Sequence, residues 1–268
     1  MTDRAVTGGR SKPMSDRITA WSDMGATTIV VIAILVTMHI VSGFVPDYIM
    51  PSPAAVAKAG WKILTQDTIH VIATLGRLLL AMLFSMVAGV LIGLIMGISA
   101  TVRPFLRALV VIDTGIPALS WILLAVFWFK DPEVRIFFIL TVILLPFYAL
   151  NTYDGIRALP KDQVDMIESF RPSRWQVIRY LIAPHTIPYI LLTTKSVIGY
   201  ATRMVIFAEL VASAVGIGSR MGLAQSAFHI DEVMAWTFLL VILNMVLQLL
   251  VTGVERVTLK WRPEAAVR

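Results

Sequence analysis

The sequence predicts an all-α integral membrane protein of about six transmembrane helices, with a short helical element facing the cytoplasm between two of them. Three observations point there. The 268 residues are 57% hydrophobic and 15% charged, with a mean hydropathy of +0.80, outside the range of ordinary soluble domains. Apolar runs recur at about the length, roughly 20 residues, that a helix needs to cross the hydrocarbon core. The main interior interruption, DMIESFRPSRWQVIRYLIAP over 165–184, is too charged for lipid and too helix-compatible for a plain loop.

The elements follow in order. A mostly polar tail (1–26) precedes the first apolar run, 27–45, which is read as a retained span because no small-residue cleavage site follows it directly. An external segment, 46–70, carries the Pro51-Ser52-Pro53 turn. Spans are then expected at 73–99, 106–129, 134–152, 186–214 and 233–255, several of them long enough to tilt or kink. A coupling-type loop (153–185) separates the fourth from the fifth, and a short tail (256–268) closes the chain. None of the polar stretches is long enough to bury a core of its own.

The basic residues orient this arrangement. With the N-terminus inside, the inner segments hold Arg4, Arg10, Lys12, Arg17, Arg103, Arg107, Arg157, Lys161, Arg171, Arg174, Arg179, Arg256, Lys260, Arg262 and Arg268. The outer ones hold only Lys58, Lys62, Lys130, Arg135 and Arg220. Both termini are therefore expected in the cytoplasm. Basic edges against anionic lipid account for the net charge of +6, with no nucleic-acid partner needed.

The chemistry of the chain is sparse. It lacks G-x-x-x-x-G-K-[ST], H-E-x-x-H and G-x-S-x-G motifs, so no catalytic residue, cofactor or enzymatic activity is expected, and nucleotide-driven work needs an ATPase on another chain. Cysteine is absent, and His39, His70, His185 and His229 are too scattered for a metal site. Gly89, Gly93 and Gly97 recur every four residues, a seam on which a neighbouring helix can approach closely.

Ionisable residues inside spans are costly and therefore candidates for function. Arg77, Asp113, Lys195, Arg203 and Glu209 qualify. Arg77 and Lys195 have a plain alternative, snorkelling or bonding to carbonyls. Arg203 and Glu209 lie on nearly opposite helix faces and are not expected to pair. Pro117 should kink the third span. Arg77, Pro117, Arg203 and Glu209 are the candidates for a translocation path.

In the polar segment, Pro172 divides a short helix, about 163–170, from a new one leading towards Pro184. Asp165 is expected near the first helix start, where the dipole favours negative charge. Phe170, Trp175, Ile178 and Leu181 form a candidate apolar stripe. Held by spans at both ends, such an element is a knob against which a soluble partner can push. Anchoring to lipid is the alternative use.

This segment resembles the EAA loop of ABC importer permeases. Asp165-Met166-Ile167 stand at the Glu-Ala-Ala positions, Arg171 at the loop glycine and Ala183-Pro184 at the Leu-Pro pair, with Ser173-Arg174-Trp175-Gln176 similar between them. Ser52-Pro53, Thr74-Leu75-Gly76-Arg77, Ile116-Pro117-Ala118-Leu119, Ala208-Glu209-Leu210 and Gly216-Ile217-Gly218 are similar to the nitrate/sulfonate/taurine branch, collinearly over about 45–255. Arg171, Leu123 and Lys130 depart from its pattern.

The resemblance implies the fold of type I binding-protein-dependent importers, set in a bacterial inner membrane. It also implies two permease copies around a path, two ABC ATPase subunits below and a periplasmic or lipid-anchored solute-binding protein above. Asp165, Glu168, Ser169, Phe170, Arg171, Pro172 and Arg174 would then form the ATPase-coupling surface. The branch handles small anions such as alkanesulfonates, taurine and nitrate, and also vitamin-precursor heterocycles and aromatic acids. A secondary transporter working without an ATPase is the rival class.

Overall fold

The computed structural model describes residues 14–260, so parts of the two expected tails (1–26 and 256–268) lie outside the described residues. Among the described residues every regular element is helical. These are α1 (Met14–Ser42), α2 (Pro53–Gln66), α3 (Thr68–Ile98), α4 (Arg103–Gly115), α5 (Ala118–Trp128), α6 (Pro132–Arg157), α7 (Lys161–Ser169), α8 (Arg174–Val177), a π-helical turn (Ile178–Ile182), α9 (Ala183–Ala212), α10 (Ile217–Ser226) and α11 (Ile230–Thr258).

Among the described residues four stretches are long and apolar enough to cross a bilayer: α3, α6, the unit Arg174–Ala212 and α11. The bent pair α4 and α5 makes a fifth if counted as one span. The apolar part of α1, Thr28–Ser42, is shorter, so these helices establish four to five spans of the six expected.

The bundle is built on α3 and α6. Gly89, Gly93 and Gly97 let them touch, as the sequence pattern predicts. A Cβ placed on Gly89 would lie 2.6 Å from the Tyr148 Cβ, and one on Gly93 would lie 2.6 Å from the Ala149 carbonyl oxygen. On Gly97 it would meet the Ile156 side chain at 2.5 Å. The partners rise in number with the glycines, so the two helices run parallel. Lipid supplies no water to exclude, so van der Waals contact across such seams does most of the holding. Around this pair, Leu78, Ile122, Leu140, Leu144, Ile198, Val205 and Leu247 from α3, α5, α6, α9 and α11 close one core.

The 46–70 segment is more ordered than its polarity suggests. Ser52 accepts a hydrogen bond from the Ala55 N–H and Pro53 opens α2, a start signal of side-chain cap plus proline at the first position. Val56, Ala59 and Ile63 then pack with Ala235 and Trp236 of α11 and Ile217 of α10.

At Pro117 the expected kink is a full break, with α4 and α5 meeting at 96°. Proline disfavours helical backbone in the residue before it, and Ile116 is extended, with φ −85° and ψ 125°.

The expected boundary near residue 186 also moves. The helix runs without a break from Arg174 through Pro184 to Ala212, 39 residues. The π turn makes this possible. The Ala183 N–H bonds to the Ile178 carbonyl five residues back, and that wider turn accommodates a proline ring that brings no N–H.

Candidate functional site

Two regions gather the polar residues. At one end of the bundle, α7 and the turn after it form the knob. Pro160 stands at the N-cap of α7 and Asp162 lies in its first turn. The helix therefore starts at Lys161, earlier than about 163, and Asp165 lies in its second turn rather than at its start. The Phe170 N–H bonds to the Ile167 carbonyl and the Arg171 N–H to that of Glu168, at 3.2 and 2.9 Å. Arg171 then takes a left-handed conformation, φ +48°, which favours glycine because other L-residues crowd the carbonyl there. Pro172 follows, and Ser173 and Gln176 close a capping box, each side chain bonding the other's backbone N–H, that starts α8.

The expected stripe of Phe170, Trp175, Ile178 and Leu181 does not form on one face. Phe170, in the turn, is 79% exposed and Trp175 66%, while Leu181 is buried. Asp165, Glu168, Ser169, Arg171 and Arg174 are exposed, and Pro172 is half-buried. Among the described residues none of the four charged ones forms an ion pair. The knob thus presents both charges and an aromatic ring outward.

At the opposite end lies a buried ion cluster. Glu209, 0% exposed near the end of α9, accepts hydrogen bonds from the Thr74 hydroxyl and from Arg77 Nη1, both at 2.8 Å, and from the Gly218 N–H at 3.0 Å. Arg77 also donates to the Val215 carbonyl at 2.6 Å and, through Nε and Nη2, to both carboxylate oxygens of Glu133.

The first amides of α10 complete the cradle. Thr74 accepts from the Ile217 N–H and His70 Nδ1 from the Gly216 N–H, at 2.9 and 3.0 Å. Gly216 is required here, since its φ is +129° and a Cβ would run into the Glu209 carboxylate. A carboxylate on a helix N-terminus is a favourable arrangement, and together with Arg135, which donates to the Ala212 carbonyl at 2.8 Å, it ties α3, α6, α9 and α10 into one unit.

The path candidates therefore divide. Arg77 bonds one carbonyl, as its plain alternative allowed, but its other main partners are carboxylates. Lys195 pairs with Glu255 of α11. Pro117 sits at the α4–α5 break. Arg203 is exposed on α9 and, as expected, does not pair with Glu209. Glu133, unremarked in the sequence, completes the Arg77 cluster; its position just after the Asp131-Pro132 helix start was the available signal.

Comparison with known proteins fits this architecture. Residues 89–259 match the family described as binding-protein-dependent transport system inner membrane component. The taurine transport system permease protein TauC of Escherichia coli is 28% identical over 196 residues, covering 73% of this chain and 71% of that protein. The riboflavin transport system permease protein RibX of Chloroflexus aurantiacus is 25% identical, covering 82% of both chains.

Among solved structures, a chain of the inward-facing MetNI methionine ABC transporter superposes with a TM-score of 0.58 at 17% identity, over 70% of this chain and 94% of its own length. A chain of an amino acid ABC transporter with histidines gives 0.58 at 18%, over 73% and 97%. The fold is that of ABC importer permeases, and with its seam of parallel helices, outward-facing knob and family match over 89–259, this chain belongs to the binding-protein-dependent inner membrane transport components.

Proposed function

We propose that this chain is the permease subunit of an ATP-driven importer of a small solute, an organic or inorganic anion of the taurine, sulfonate or nitrate kind. Two identical copies would enclose the path, two ATPase subunits would bind the knob from the cytoplasm, and a periplasmic or lipid-anchored binding protein would deliver solute at the opposite face. Both termini would lie in the cytoplasm, and ATP hydrolysis would be confined to the partner chains. The names of the relatives, taurine, aliphatic sulfonate and nitrate permeases, support the solute class, and the Lys/Arg distribution supports the orientation.

One observation carries the reading. The knob exposes Phe170 and four charges that have no ion-pair partner among the described residues, and it is joined through the capped turn to a 39-residue helix. An aromatic anchor ringed by charge suits docking to a soluble partner, and closure of ATPases on ATP would then move the bundle as a rigid body. The double variant Phe170→Ala, Arg171→Glu tests this by co-purification of the ATPase and by solute uptake. Both should fall at least about tenfold, as expected for loss of a hot-spot contact; retention of both would refute the docking surface.

A further inference from the structure

His70, in the first turn of α3, is buried and faces two donors at once. The Gly216 N–H points at its Nδ1 at 3.0 Å and the Arg220 Nε–H at its Nε2 at 2.9 Å. A neutral imidazole carries one N–H and one lone pair, so it satisfies one of these donors and turns its own hydrogen on the other. Burial decides which. The Gly216 amide is buried, and its Cα lies against the Glu209 carboxylate. The Arg220 side chain is 39% exposed and keeps Asp67 Oδ1 at 2.8 Å through Nη2. A donor left unmade costs more where water cannot replace the partner, so the lone pair belongs on Nδ1 and the hydrogen on Nε2.

A second proton upsets this arrangement. It enters at Nδ1, where it opposes the Gly216 amide, and the resulting cation has donors on both nitrogens and repels the Arg220 guanidinium. Asp67 Oδ1, 4.0 Å from Nε2, is in place to accept from the charged ring. The other charges around the ring come from every element packed there. Arg77 of α3 donates to the Val215 carbonyl beside Gly216, and Glu209 of α9 lies beyond Gly216. Lys62 of α2 pairs with Glu232 of α11, and both join His229, Asp67 and Arg220 in lining a polar cavity of about 380 Å³. Glu209 and Glu232 already hold Arg77 and Lys62, so Asp67 is the carboxylate to which the cation turns.

We infer that His70 is a proton-operated latch: neutral, it fastens the start of α10 to α3; protonated, it turns to Asp67, displaces Arg220 and releases Gly216. Imidazole suits the task because its ordinary pKa, about 6.5, lies within the range of environmental acidity. Four residues, 213–216, join α9 to α10, so release at Gly216 frees the end of the long helix that leads back to the knob. With the knob read as cytoplasmic, the latch lies at the outer end of the bundle and couples acidity there to the permease. That coupling rests on the proposed function; the latch itself does not.

Hydrogen exchange of the full chain in lipid nanodiscs, read as the protection factor of the Gly216 amide from about pH 7.5 to about pH 5, tests it. Wild type should lose protection at least about tenfold over that range as His70 takes up its proton. His70→Asn, whose Oδ1 accepts from Gly216 without titrating, should change less than about twofold. Asp67→Asn removes the carboxylate that receives the cation and should move the midpoint down by about one pH unit, while Arg220→Gln removes the opposing cation and should move it up by about as much. These two variants keep His70, so the assignment is readable even where His70→Asn does not fold. Wild-type protection that does not change with pH, an equal loss in His70→Asn, a loss abolished by His229→Asn, or midpoints that fail to move in opposite directions would each overturn the latch. The readout needs neither ATPase nor solute, whereas the permease reading fails separately, by the absence of a co-purifying ATPase.

Discussion

Replacing Glu209 by glutamine changes one atom and removes a charge, yet the cluster leaves the amide no good orientation. Oε1 accepts from Thr74 and Arg77, and Oε2 from Thr74 and the Gly218 N–H. An NH₂ in the first position faces the Arg77 guanidinium, and in the second it faces the Gly218 amide. Each opposed donor pair costs about 1–3 kcal/mol, and breaking a buried pair costs about 3–5 kcal/mol in all. At roughly 2–4 °C per kcal/mol for a chain of this size, Tm should fall by about 10 °C. Glu133→Gln is the internal control. It removes the other carboxylate on Arg77, but the Glu133 side chain is 63% exposed, so its loss should cost less than about 1 kcal/mol. Thermal unfolding of the detergent-solubilised protein, followed by tryptophan fluorescence, gives both values. If Glu209→Gln melts within about 2 °C of wild type, or no lower than Glu133→Gln, the cluster is not the clamp described.

Two further outcomes follow from local geometry. Arg171→Gly should relieve the left-handed backbone by about 1 kcal/mol and slow hydrogen exchange at the Phe170 and Arg171 amides about fivefold; unchanged or faster exchange would mean that no strain is held there. Gly93→Val should lower stability by about 1–3 kcal/mol, since its Cβ meets the Ala149 carbonyl rather than a side chain that can move. Gly76→Ala on the same helix, where no atom lies within 4 Å, should cost nothing, and equal losses in the two variants would show that the seam is not tightly packed.

Features that depend on neighbours in the chain were legible from sequence. The glycine spacing located the α3–α6 seam, Pro172 located the turn between α7 and α8, and the apolar run lengths located most spans. Position 171 shows the limit of resemblance. A family that places glycine there implies a left-handed residue, and the conformation persists here with arginine. What the sequence concealed depends on approach in space. Arg77 lies 56 residues from Glu133 and 132 from Glu209, so no spacing rule links them. The 96° break and the π turn were hidden for a related reason. Proline marks an interruption, but packing by neighbours decides whether the helix divides, as at Pro117, or accommodates the ring, as at Pro184.

The unbroken run from Arg174 to Ala212 makes the two ends of the molecule a single lever. At 1.5 Å per residue its arm is about 58 Å, so a pivot of about 5° at one end swings the other through about 5 Å. Small displacements at the base therefore suffice to rearrange the far mouth, and the stiffness of the five-residue π turn near the base sets how much of each stroke arrives there.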